Sequence, residues 1–202
     1  MYYAESSRRN RWRGKYVCGV ILAVLLVAAA LVWWQFTPGQ TPVIRFTDKT
    51  TGLRLAYDQQ LLAGSLSAQD RQDHLILRLT QKTSQDPPLQ VTIRYEKDLH
   101  PLEAITKQHL RDALLANVDK TYPTRFPDYK ELQRRSFSLD SHDAGELVFS
   151  YTGPRHEQVK QHFLIFVLDD DRAVYISAQS KAADFERLDR SYFEPLLTSL
   201  RT

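Results

Sequence analysis

Six histidines, a run of three aspartates and one short acidic stretch are the groups of this chain whose types could do chemistry. His74, His100, His109, His142, His156 and His162 offer general bases and transition-metal ligands, but they are scattered. Only His156 and His162 lie close, and a six-residue separation matches no common zinc spacing. They read as ordinary surface histidines. Asp169, Asp170 and Asp171 supply the oxygen ligands that a hard cation such as calcium prefers. Three adjacent residues in a tight turn rarely converge on one ion, and an exposed hairpin tip accounts for them equally well. The stretch "DSHDAGE", Asp140 to Glu146, joins three acids to a histidine and also falls in an expected hairpin. A serine nucleophile needs a base beside it, and nothing in the sequence places one. The chain has no Walker-type loop, no G-x-G-x-x-G, no H-E-x-x-H and no G-x-S-x-G. No catalytic, cofactor-binding or metal-binding set is assigned.

The elements that would position such groups are read from periodicity. "VIRFTD" (Val43–Asp48) and "LRLAYD" (Leu53–Asp58) are short strands split by the turn-like "KTTG". In "HLILRLTQK", Leu75, Leu77 and Leu79 share one face, and in "LQVTIRYEK" Val91, Ile93 and Tyr95 do the same. "SQDPP" between them reads as a hairpin loop. Pro101 suits a helix N-terminus, with Glu103 in the first turn where the helix dipole favours an acid. Leu102, Ile105, Leu110, Leu114 and Val118 carry the helical spacing to an expected break at Pro123.

The C-terminal half continues with "FSL" (Phe137–Leu139) and "GELVFSYT" (Gly145–Thr152) as strands. From Phe163 to Leu168 every position is apolar, which predicts a strand covered on both faces. The acidic turn then leads to Val174, Ile176 and Ala178, an alternating strand. A last helix over about Ala183 to Leu200 aligns Phe185, Leu188, Tyr192, Leu196 and Leu200, with Pro195 expected to kink or divide it. Helices set at separate points around a mainly antiparallel sheet define an α+β class.

This order of elements resembles the PsbP-like superfamily, whose fold the Mog-type nuclear import factors share. "TGLRLAYDQQL" is similar to that group's entry segment through Gly52, Leu53 and Leu55, although its proline and tryptophan are missing here. "GELVFSYTG" through "AVYISAQSKAADFERL" and "LLTSL" resembles the last three strands and terminal helix. The resemblance spans roughly residues 44–200 and implies an αβα sandwich around the sheet. Its members are photosystem accessory subunits, Ran-binding factors and bacterial lipoproteins or anchored proteins, so it implies a noncatalytic accessory role more than any reaction.

The rest concerns address. Tyr16 to Trp34 is 19 residues without a charge, a helix of about 28 Å, and Phe36 extends it towards a hydrocarbon core of about 30 Å. It has no polar stripe, and Trp12, Tyr16, Trp33 and Trp34 sit at the two interfacial levels. Arg8, Arg9, Arg11, Arg13 and Lys15 precede it, opposed only by Glu5, so residues 1–15 are expected in the cytoplasm. Residues 16–36 then form a transmembrane helix, 37–42 a short Pro- and Gly-containing spacer, and 43–202 one extracytoplasmic domain. The small-residue run Ala28-Ala29-Ala30 lies inside the apolar stretch and is followed by bulky residues, which favours an uncleaved signal anchor over a cleaved signal peptide. Cys18, at the cytoplasmic end of the span, reads as a small apolar residue, with reversible palmitoylation the other reading.

Of 27 basic and 24 acidic residues, five basic and one acidic precede residue 43, so residues 43–202 carry 22 against 23, a net −1. The basic pI belongs to the N-terminal segment, which suits the anionic inner leaflet, and no nucleic-acid partner is expected. The single cysteine precedes the domain, which therefore folds without an intramolecular disulfide. The expectation is a membrane-anchored interaction module of the bacterial envelope, binding an envelope or membrane protein or a small ligand without a cofactor. The alternative is a metal-dependent or hydrolytic enzyme whose Asp, His and Ser residues meet only in the fold.

Overall fold

A computed structural model of the chain describes residues 42–83, 86–97, 99, 107–169 and 172–202, with the side chains of residues 107–109 excepted. The basic segment 1–15, the expected span 16–36 with Cys18, and the spacer as far as Thr41 lie outside the described residues. So do the proposed helix start at Pro101, Leu102, Glu103 and Ile105, as well as His100, Asp170 and Asp171.

Period-two alternation builds most of the domain. Val43–Thr47 (β1) and Arg54–Asp58 (β2) pair as a separate antiparallel hairpin. Leu61–Ala63 (β3), Leu75–Gln81 (β4), Gln90–Glu96 (β5), Lys130–Leu139 (β6), His142–Thr152 (β7), Gln158–Val167 (β8) and Ala173–Lys181 (β9) form one antiparallel sheet. Its order is β3-β4-β5-β9-β8-β7-β6. Register places whole rows of side chains on one face. Arg135, Glu146, Leu164, Ile176, Ile93 and Leu77 run across one face, and Arg134, Leu147, Phe163, Ser177, Thr92 and Arg78 across the other.

The first face carries the larger core. Leu77, Leu79, Val91, Ile93, Leu164, Phe166, Val174 and Ile176 pack there beneath Leu188, Phe193, Leu196 and Leu200 of the C-terminal helical segment and Leu53, Leu55 and Tyr57 of the β1–β2 hairpin. Each fully buried Leu or Phe of this kind contributes about 1.5–3 kcal/mol. Hairpin and C-terminus are tied together where the Arg54 and Arg201 backbones exchange two hydrogen bonds of 2.8 Å, and where the Ala56 N–H donates to Ser199 Oγ at 2.8 Å. The second face holds Leu147, Phe149, Val159, Phe163, Ile165 and Val167, covered by Leu110, Leu115 and Val118 of helix α2 (Lys107–Arg125). A short helix, α1 (Ala68–Gln72), joins β3 to β4 and starts on a capping box between Ser67 and Asp70. Strand β8, buried from Gln161 to Val167, has a helical layer on each side, as its unbroken apolar run predicts.

Three expectations need correction. The strand expected at Phe137–Leu139 begins at Lys130, because β6 is a sheet edge paired only to β7, and its charged "KELQRRS" can face solvent on both sides. Helix α2 does not break at Pro123 but runs to Arg125. Proline removes one ladder bond there, yet the Phe126 N–H still donates to the Tyr122 carbonyl at 2.8 Å, and both rings pack on Phe149. The C-terminal helix is divided before Pro195, not at it: α3 (Phe185–Leu188) passes through a π-helical turn (Asp189–Phe193) into α4 (Glu194–Thr198).

Candidate functional site

The fold scatters most of the candidate residues. His74 and His156 occupy positive-φ positions in turns, at 56° and 62°, and are exposed. Hairpin β6–β7 turns on Asp140 and Ser141, both at positive φ, which is the geometry of a tight two-residue turn. It splits the acidic stretch: Asp140 accepts the Thr202 N–H at 2.9 Å, whereas Glu146 points into the domain. His142 lies within β7, with Nδ1 at 3.1 Å from the Val167 carbonyl and Nε2 at 3.1 Å from Thr202 Oγ1. Asp169 is held by an ion pair with Arg172 in its own turn. Among the described residues no group of three His, Cys, Asp or Glu side chains could hold a metal ion.

His162 overturns the reading of six surface histidines, because it is 4% exposed. Alternation along β8 turns it inward with Leu164 and Phe166, where it meets Phe193 edge-on at 4.8 Å. Its Nδ1 lies 3.0 Å from Asp189 Oδ1 in the π-helical turn, and its Nε2 lies 3.4 Å from Glu146 Oε2 without hydrogen-bond alignment. Glu146, equally buried, accepts a 2.6 Å hydrogen bond from Arg135 Nε. Burial alone disfavours the imidazolium, but the Asp189 and Glu146 carboxylates outweigh it and push His162 up to about 9. Burial likewise works against the Glu146 carboxylate, and the His162 and Arg135 cations overcome it to hold the group below its usual range. His162 is thus a cation at neutral pH with a carboxylate at each nitrogen. The cluster thereby ties the π-helical turn of the terminal segment to strands β7 and β8.

A different arrangement occupies the second face. Helix α2 covers β7 and β8, and a cavity of about 570 Å³ remains between it and the polar half of the sheet. Volumes of about 300–1,000 Å³ are usual for small-molecule sites. Alternate residues of β5 (Gln90, Thr92, Arg94, Glu96) and β9 (Tyr175, Ser177, Gln179) form the floor. Asn117, Thr121, Tyr122 and Arg125 of α2 form the wall. Thr92 and Ser177 hydroxyls lie 2.8 Å apart, and Gln179 Nε2 donates to Gln90 Oε1 at 3.1 Å. Arg78, at the outer end of the same row, is paired with Asp70, but Arg94 and Arg125 form no ion pair with a described residue. Both act on the Tyr122 hydroxyl, which burial nevertheless pushes up to about 12. Burial also raises Tyr175, and the neighbouring Glu96 carboxylate adds to the shift.

Close helix packing fixes the cleft wall. A Cβ on Gly145 of β7 would stand 2.8 Å from Leu115 Cδ1 and 3.3 Å from Arg111 Cγ, so the glycine lets α2 lie directly on the sheet. None of the cleft residues is a sequence-level candidate. Their only signal is the polar half of the alternation in "QVTIRYE" and "AVYISAQSK", which looks like an ordinary solvated face until β5 and β9 prove to be interior strands.

No protein-family model and no curated protein matches the sequence. Solved structures do share the fold. LpqN of Mycobacterium tuberculosis, involved in cell envelope biogenesis, superposes with a TM-score of 0.56 at 9% identity over 79% of this chain and 90% of its own. CyanoP, the cyanobacterial PsbP of Synechocystis sp. PCC 6803, gives 0.53 at 10% identity over 82% and 95%. A Pseudomonas aeruginosa protein of unknown function gives 0.52 at 9% over 79% and 96%. At such identities the likeness establishes the fold, which is the PsbP-like one that the element order resembles.

Proposed function

We propose that this chain is a noncatalytic interaction module whose binding surface is the cleft between α2 and the polar half of the sheet. The observation that carries the reading is that cleft: an open, preformed concavity floored by hydroxyl, amide and guanidinium groups on two interior strands. His162 supports the noncatalytic part, because its contacts with Glu146 and Asp189 tie the terminal helical segment to the sheet. Residues 16–36 hold the module at the outer face of a cytoplasmic membrane, with residues 1–15 inside. The involvement of LpqN in cell envelope biogenesis supports that setting. Confinement near the bilayer raises the effective concentration of a modest-affinity binder towards membrane partners.

Photo-crosslinking groups placed at Asn117 or Thr121, on the exposed wall of the cleft, test the reading in the full chain in its native membrane. Capture should occur from these positions and should vanish when Ser177→Trp fills the floor, with the melting curve unchanged. Capture from Lys49 of the hairpin, with none from the cleft, would move the binding surface elsewhere. A reporter active only in the cytoplasm, fused after Thr202, should stay silent; a strong signal would reverse the topology.

A further inference from the structure

The cleft also indicates what kind of molecule it takes, given the binding reading above. We propose that its ligand is a hydroxylated ring carrying one anionic group, a sugar phosphate or a sugar acid. The charge comes from two sides. Arg94 rises from the floor on β5 and Arg125 descends from the last turn of α2, and both reach the Tyr122 hydroxyl electrostatically. Neither forms an ion pair with a described residue, whereas Arg78 is occupied by Asp70, and Glu96 lies on the floor beside Tyr175. Two guanidinium groups facing one space, both without a counter-ion, suit a phosphate or carboxylate that can take paired N–H bonds.

The remainder of the floor specifies the hydroxylated part. The Thr92–Ser177 pair uses one donor and one acceptor, leaving one hydroxyl hydrogen and several lone pairs. In the Gln179–Gln90 pair the Gln90 amide hydrogens remain for another partner. Mixed donors and acceptors of this kind match ring hydroxyls, which both give and accept. Leu114, Val118 and Phe126 add apolar wall on which the C–H face of a ring can rest. An extended acidic peptide fits less well. Peptides add to sheets through backbone bonds at an edge, and on β5 and β9 those bonds are already made on both sides.

The test uses the full chain in phosphatidylcholine nanodiscs, titrated calorimetrically with glucose phosphate, glucuronate, glucose and inorganic phosphate. One of the two anionic sugars should bind, and which one does identifies the anion. Arg94→Gln and Arg125→Gln should each weaken it by roughly tenfold or more, the usual consequence of losing a hydrogen bond to a charged group. Thr92→Val with Ser177→Ala should weaken the sugar but leave inorganic phosphate unaffected. Equal affinity for glucose would remove the role of charge, and equal affinity for inorganic phosphate would leave an ion site only; either result overturns the proposal. If neither anionic sugar binds while crosslinking from Thr121 persists, the ligand class is wrong and the binding module stands. If both fail, both readings fall together.

Discussion

The two faces of the sheet treat polar side chains in opposite ways. On the face covered by the C-terminal segment, Glu146, His162 and Asp189 are drawn together in the interior, and the exposed Arg135 reaches in to the Glu146 carboxylate, each charge opposite another. On the face covered by α2, polar residues in the β4–β5–β9 half are left facing a cavity, and two arginines there lack a described counter-ion. A buried charge needs a partner within the fold, because desolvation costs several kcal/mol per ion. A charge at an open cleft keeps its water until something displaces it. The contrast separates polarity that is paired within the fold from polarity left open at a cleft.

The strongest way to break this comparison is to unbalance the enclosed network. Glu146→Gln leaves the His162 imidazolium with one carboxylate, and removing one member of a buried pair typically costs about 3–5 kcal/mol. The loss should sit at the lower end, because Arg135 is 59% exposed and can turn to solvent. Urea denaturation measures it. The pH dependence carries a definite sign. His162 is raised from 6.5 to about 9 in the fold, so its contribution is complete below the unfolded value and fades as pH rises through about 9. The urea midpoint of the wild type should therefore fall between about pH 6 and about pH 10, and His162→Gln should flatten that fall. An unchanged slope in this variant would show that the network carries no linked proton.

Gly145→Ala tests the wall between the two regimes. The added methyl group meets the Leu115 Cδ1 methyl, the end of a flexible side chain, so Leu115 must turn or α2 must shift from β7, an overpacking that costs about 1–3 kcal/mol where the helix moves. The shift should also reshape the cleft and weaken capture from Thr121, which a purely structural glycine would not do. The smallest effect on stability belongs to the open cleft. Arg94→Gln should alter the melting free energy by no more than about 0.5 kcal/mol, as for a typical surface change, while abolishing most ligand affinity. A large destabilisation would mean that Arg94 is a structural cation, and the distinction between the faces would fail.

Legibility in the sequence followed physical locality. Leu75, Leu77 and Leu79, or Val174, Ile176 and Ala178, announce their strands because alternation is a property of neighbouring residues. The first seven residues of β6 were illegible because an edge strand can be charged on both faces and then has no apolar period to detect. Pro123 misleads because the rule about proline in helices is local, whereas Tyr122 and Phe126 are held by Phe149 from a distant strand. Of the enclosed network, Glu146 and His162 were visible only as members of unrelated stretches, and Asp189 gave no signal at all.

By itself, the sequence determined the class: an α+β domain with β8 apolar enough to be central, a nearly neutral charge from residue 43 onward, and a core that forms without disulfides. Those properties sum over residues or repeat between near neighbours, so composition and periodicity carry them. Tertiary structure alone decided that Glu146, His162 and Asp189 meet, and that Arg94 and Arg125 face the same cavity. Which strands become neighbours, and which half of a sheet a helix covers, depends on contacts between residues far apart in the chain. Only those contacts separate a buried charge from one that faces an open cleft.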